Sequence, residues 1–143
     1  MRLLLSILLC CCPLMADLAQ VRAEPNLEKR SKAALDNAER SLSASRKAYS
    51  AGDLPQATEL LGEVQVSVNL AESSLQETGK DASRSPKYFK DAEIKTGGLL
   101  RKLDAFSLDM NVADRPLVDK LKEEVQEVHD RLLHSIMTGK KKK

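Results

Sequence analysis

Ala48-Tyr49-Ser50-Ala51-Gly52-Asp53-Leu54-Pro55-Gln56-Ala57 decides the fold class, because it marks where one helix stops and another starts. Gly52 can close a helix in the left-handed conformation that disfavours other residues. Asp53 can cap the next helix, with Gln56 three residues on as its capping-box partner. On both sides of this break, apolar and small residues recur at alternating three- and four-residue steps. That spacing is the signature of an amphipathic helix with one packed seam. Before the break the seam reads Leu35, Ala38, Leu42, Ser45, Tyr49, and after it Ala57, Leu61, Val64, Val68, Ala71, Leu75.

Working outward, two further stripes appear. One is Phe89, Ala92, Thr96, Leu99, Leu103, Phe106, Met110; the other is Val118, Leu121, Val125, Val128, Leu132, Ile136. Gly79 ends the second helix, residues 80–85 are a polar linker, and Ser85-Pro86 supplies a cap and a first helical position. Residues 111–114 form the last turn, with Asp114 as cap and Pro116 in the first turn. No alternating apolar–polar strand pattern competes. Short connections between long helices favour antiparallel neighbours. Burying one Leu-sized side chain is worth roughly 1.5–3 kcal/mol. Six of them do not offset the ordering of about 24 residues, at about 1–2 kcal/mol of backbone entropy each. The seams must therefore bury one another. The expected fold is all-α: an up-down antiparallel four-helix bundle of two helical hairpins over residues 24–138, or two hairpins that complete their cores by dimerising.

The first 23 residues read differently. Arg2 gives a positive start, and Leu3 to Met15 is a short apolar run that contains Pro13 and meets Asp17 soon after. A membrane-crossing helix needs roughly 20 apolar residues. The run is shorter, so residues 1–23 are expected to be a secretory signal peptide. Val21-Arg22-Ala23 has the small-x-small form of a cleavage site, and Leu14-Met15-Ala16 offers a competing one. Cys10, Cys11 and Cys12 all lie in this leader, so the processed chain is expected to lack disulfides and to rely on apolar packing. A lipid-modified cysteine is disfavoured, because Leu9 rather than a small residue precedes Cys10. The expected location is periplasmic or secreted.

Charge narrows the partners. The chain holds 23 Lys and Arg against 21 Asp and Glu. Losing Arg2, Arg22 and Asp17 with the leader leaves it nearly neutral. Lys140, Lys141, Lys142 and Lys143 then form a basic disordered tail over residues 139–143, which leaves the folded body slightly acidic. Nucleic acid, which requires a basic face to neutralise phosphates, is not an expected partner. The lysine tail could instead contact a membrane or another part of the cell envelope.

Two resemblances follow from these residues. The segment from Ala48 to Ala57, with Leu61 beyond it, resembles the turn of a tetratricopeptide repeat, where an aromatic residue, Gly-Asp and a following Ala close two helices. Ser41 and Ser45 stand where that motif has Trp and Gly, so its peptide-binding groove does not transfer. The whole chain resembles uncharacterised exported helical proteins of bacteria, a likeness that implies no activity. Within the chain, an offset of 61 residues places Asp53-Leu54-Pro55 on Asp114-Arg115-Pro116, Ala38 on Leu99 and Ser45 on Phe106. A duplicated hairpin would give this pattern, and so would any two hairpins of similar length.

Candidate chemistry is sparse. His129 and His134 are the two histidines of the chain. Di-iron bundles require Glu-x-x-His, whereas residues 126 and 131 are Gln and Arg. Glu127 and Arg131 are spaced for a surface ion pair. His134-x-x-Met137 places an imidazole and a thioether on one side of a turn, a combination suited to copper(I) but two ligands only. No Gly-x-Ser-x-Gly elbow or phosphate-cradling glycine loop is present. Gly97-Gly98 falls inside the third stripe, where close helix packing is favoured over a ligand-sized gap. The function expected from the sequence is a non-catalytic, exported binding or structural module acting through a protein partner or self-association, with no cofactor and no assigned site residues. The alternative is a periplasmic carrier of a small ligand or metal in the bundle interior.

Overall fold

A computed structural model describes residues 14–139, with side chains placed from residue 17 onward. Residues 1–13, including Cys10, Cys11 and Cys12, and the lysines at 140–143 lie outside the described residues. Among those described, the chain is all-helical: α1 (Leu14–Ala23), α2 (Leu27–Ser50), α3 (Leu54–Glu77), α4 (Lys87–Asp109) and α5 (Arg115–Thr138).

Five helices stand where the stripes led to an expectation of four. The added one, α1, is the end of the expected leader, and both candidate cleavage residues, Ala16 and Ala23, belong to it. It packs on α2, where Val21 is buried in the main core and Asp17 lies 4.0 Å from Arg40. Pro25 separates the two helices, since the residue before a proline is pushed out of the helical region. Asn26 then caps α2 by accepting the Lys29 N–H at 2.9 Å.

The turns follow the sequence with two exceptions. Gly52 takes φ 82 at the end of α2, and Asp53 accepts the Gln56 N–H at 3.1 Å, as its capping role requires. Gly79 takes φ 65 just beyond α3. Ser85, by contrast, is not the cap of α4: Pro86 occupies that position with no side-chain cap bond. Asp114 keeps the cap position of α5 but not the capping bond. Its carboxylate accepts instead from the Tyr49 hydroxyl at 2.9 Å, and that hydroxyl in turn accepts the Asn111 N–H at 2.9 Å. Tyr49 therefore ties the α2–α3 and α4–α5 turns together at one end of the molecule.

Contacts give the topology. Ser45 faces Ala57 and Asn37 faces Ser67, so α2 and α3 are antiparallel. Thr96 with His129 and Ser107 with Asp119 show the same for α4 and α5. Between the hairpins the sense reverses. Asp36 pairs with Lys95, Glu39 with Lys102 and Arg46 with Asp109, so α2 lies beside α4 in parallel. Glu72 with Arg131 joins α3 to α5 in the same sense. The two hairpins are thus stacked, like helix on like helix, and α3 touches α4 across the diagonal. The reason lies in residues 78–86: an extended chain spans up to about 3.3–3.6 Å per residue, enough to cross a diagonal. A tight turn would have forced α3 and α4 side by side.

The two seams are filled differently. Ala34, Ala38, Ser41 and Ser45 of α2 and Ala57, Ser67, Ala71 and Ser74 of α3 are buried, and these small residues suit the extensive contact between the two helices. The α4–α5 seam is filled by Leu99, Leu103, Phe106, Val118, Val125 and Val128. Phe106 also reaches Tyr49, edge to face with ring centres 5.8 Å apart.

Candidate functional site

Histidine 129 sits in the best-formed polar cluster of the α4–α5 seam. Its Nδ1 lies 3.0 Å from the Thr96 hydroxyl and 3.1 Å from the Glu93 carbonyl, and Nε2 is 3.6 Å from the Glu93 carboxylate. Gly97 lies beside the ring: a Cβ placed there would stand 3.4 Å from His129 Cε1, in ordinary contact. The imidazole is the nearest group to the Gly97 side of α4. A Cβ at Gly98 would meet only the Arg101 guanidinium, at 3.8 Å. The sequence did not point to Glu93 as the partner of His129, since the two lie on different helices.

A groove of about 540 Å³ runs between α2 and α4. Leu42 and Phe106 form its apolar floor, and Arg40, Ser43, Arg46 and Lys102 line its rim. Arg46 is bonded to Asp109, and Lys102 to Glu39 at 3.0 Å, so its cations are largely engaged. At the same rim, burial pushes the Asp36 carboxyl up, but Lys95 and Lys32 outweigh it and hold the group below the usual carboxylate range. A second groove, of about 370 Å³, lies between α3 and α5 over Leu75, Phe89 and Leu132. Here Arg131 forms a fork on Glu72 at 2.7 and 2.9 Å, which raises the guanidinium pKa further. The expected Glu127–Arg131 pair is present as well, at 3.6 Å.

His134 and Met137 both lie at the end of α5. His134 lines the second groove, whereas Met137 is 75% exposed and outside its lining. Among the described residues no group of three potential His, Cys, Asp or Glu ligands comes together. Nor is any described helix long and apolar enough to cross a membrane.

Two buried polar features escaped the sequence reading. Asn37, fully buried, donates to Ser67 and to Glu63, both at 3.0 Å, and pins α2 to α3. An Asn beside a small seam residue is the signal that could have revealed it. Ser41 is also fully buried, and its hydroxyl has no hydrogen-bond partner among the described residues.

No known family model matches the chain, and neither a curated protein nor a solved structure matches it.

Proposed function

We propose that this chain is an exported helical module that acts by contact rather than catalysis, as a protein-binding or structural element. In this reading residues 1–23 are a leader removed after Ala23, and α2 to α5 are the working part, an up-down four-helix bundle of two hairpins. The division of the core carries the proposal. Among the described side chains, Val21 is the one buried apolar group that α1 contributes, while α2 to α5 supply nearly all the others. The stacked hairpins therefore close most of their core without α1. Large side chains (Leu99, Leu103, Phe106) occupy the interior, which favours a packed module over a carrier with an internal site. Contact surface is available on α4, where Ile94 is 65% and Leu108 75% exposed.

Two measurements test this. Mass spectrometry of the protein recovered from the cell envelope should find Glu24 as its first residue; an intact leader would overturn the export reading. A photo-crosslinking residue placed at Ile94 or Leu108 should capture a protein in that compartment. Absence of any crosslink from both sites would overturn the contact reading.

A further inference from the structure

The stacking of like helices sorts charge. The layer formed by α2 and α4 holds 11 Lys and Arg against 7 Asp and Glu, whereas the α3–α5 layer holds 4 against 9. No Lys or Arg occurs in α3 at all. On the outer side of the first layer, Lys47, Lys90 and Arg101 are exposed and form no ion pair with another described residue. On the second, Glu59, Glu77 and Glu123 are likewise exposed and form no ion pair with another described residue. Each layer also exposes an apolar side chain near its middle, Ile94 on α4 and Val66 on α3. Both faces are built from two parallel helices of 23 or 24 residues, about 35 Å long at 1.5 Å per residue.

We propose that the molecule associates with copies of itself, the basic α2–α4 face of one docking on the acidic α3–α5 face of the next. This rests on the contact-module reading above, but not on export. Complementary potentials steer such an encounter and fix its register. A two-fold dimer through either face would set like charges against each other, so the favoured contact is heterologous and builds an open stack. The partner is a second copy rather than an anionic lipid surface. The same molecule carries faces of opposite charge excess and equal length, and a lipid surface would use only one of them.

The test uses purified protein from the full chain and sedimentation velocity across a concentration series. At about 0.1 M salt, where charges interact over about 10 Å, the average mass should grow with concentration. At about 1 M salt, where that range is about 3 Å, it should return to the monomer. Lys90→Glu with Arg101→Glu erases the positive excess of the α2–α4 layer, and Glu59→Lys with Glu123→Lys cuts the negative excess of the α3–α5 layer from five to one. Each double variant alone should associate about tenfold more weakly or less, since several surface charge contacts change sign. Mixing the two should restore association. Circular dichroism of each variant establishes that it is folded. A wild-type chain that stays monomeric at low salt overturns the proposal, as does association indifferent to both reversals or a mixture that fails to recover. Binding of monomeric wild type to vesicles of anionic phospholipid, lost in Lys90→Glu with Arg101→Glu, would assign the basic face to lipid and overturn it too. Crosslinks from Ile94 to an unrelated protein in the envelope, with no self-association in vitro, would leave the contact module standing and defeat this inference alone.

Discussion

Replacing the paired glycines of α4 one at a time measures what their space is for. In a helix interior, glycine is less favourable than alanine by about 0.5–1 kcal/mol, through backbone entropy. Neither Gly97 nor Gly98 has the positive φ that would require glycine. At Gly98 the nearest group to an added methyl is the flexible end of Arg101, 3.8 Å away. Gly98→Ala should therefore stabilise the protein by nearly the full propensity term, about 0.5–1 kcal/mol. At Gly97 the added methyl meets His129 Cε1 at 3.4 Å, an ordinary contact. Gly97→Ala should gain a similar or slightly smaller amount. Gly97→Val is different: a branched side chain enters the imidazole's space and displaces a ring held by Thr96 and Glu93. Overpacking of this kind costs about 1–3 kcal/mol, so Gly97→Val should be less stable than wild type. Urea unfolding followed by circular dichroism gives all three values, and a 1 kcal/mol change corresponds to about 2–4 °C in Tm for a chain somewhat longer than this one. Loss of stability in Gly98→Ala would refute the packing argument. So would a Gly97→Val protein as stable as Gly97→Ala, since His129 would then not be filling the gap.

Tyr49→Phe keeps the ring against Phe106 but removes the hydroxyl that joins Asp114 to Asn111; at about 1 kcal/mol per hydrogen bond, urea unfolding should show a loss of about 1–2 kcal/mol. Ser41→Ala removes a buried hydroxyl without a partner, so the same assay should find it neutral or stabilising by up to about 1 kcal/mol, and a marked loss would mean that the hydroxyl is bonded after all. The lowered pKa of Asp36 makes its contribution to stability fully present above the unfolded value of 3.8 and lost as pH falls through the lower folded value. The stability difference between wild type and Asp36→Asn should accordingly be constant near neutrality and shrink in strong acid, as read from chemical denaturation at a series of pH values.

Helices α2 to α5, their seams and most of their ends were legible in the chain because each rests on local chemistry. Seam spacing depends on 3.6 residues per turn, and the Gly52–Asp53 break on backbone freedom and a capping carboxylate three residues from its N–H partner. Asp114 shows where that locality fails. Its cap position was legible, but its carboxylate turned to Tyr49, a residue 65 positions away that only stacking of the hairpins brings near. The same limit hid Glu93 from His129 and Glu72 from Arg131. It also hid the packing of α1 on α2, which the local pattern of residues 14–23 does not encode.

What the sequence by itself determined is four amphipathic stripes and the turns between them, since period and punctuation are properties of neighbours along the chain. Which helix lies beside which was decided only in three dimensions, where the segment 78–86 is long enough to carry α4 across the diagonal to α2. That choice set small seams against large ones and left an excess of cations on one face and of carboxylates on the other. No period in a linear chain encodes such a sorting, because it depends on which helices lie side by side.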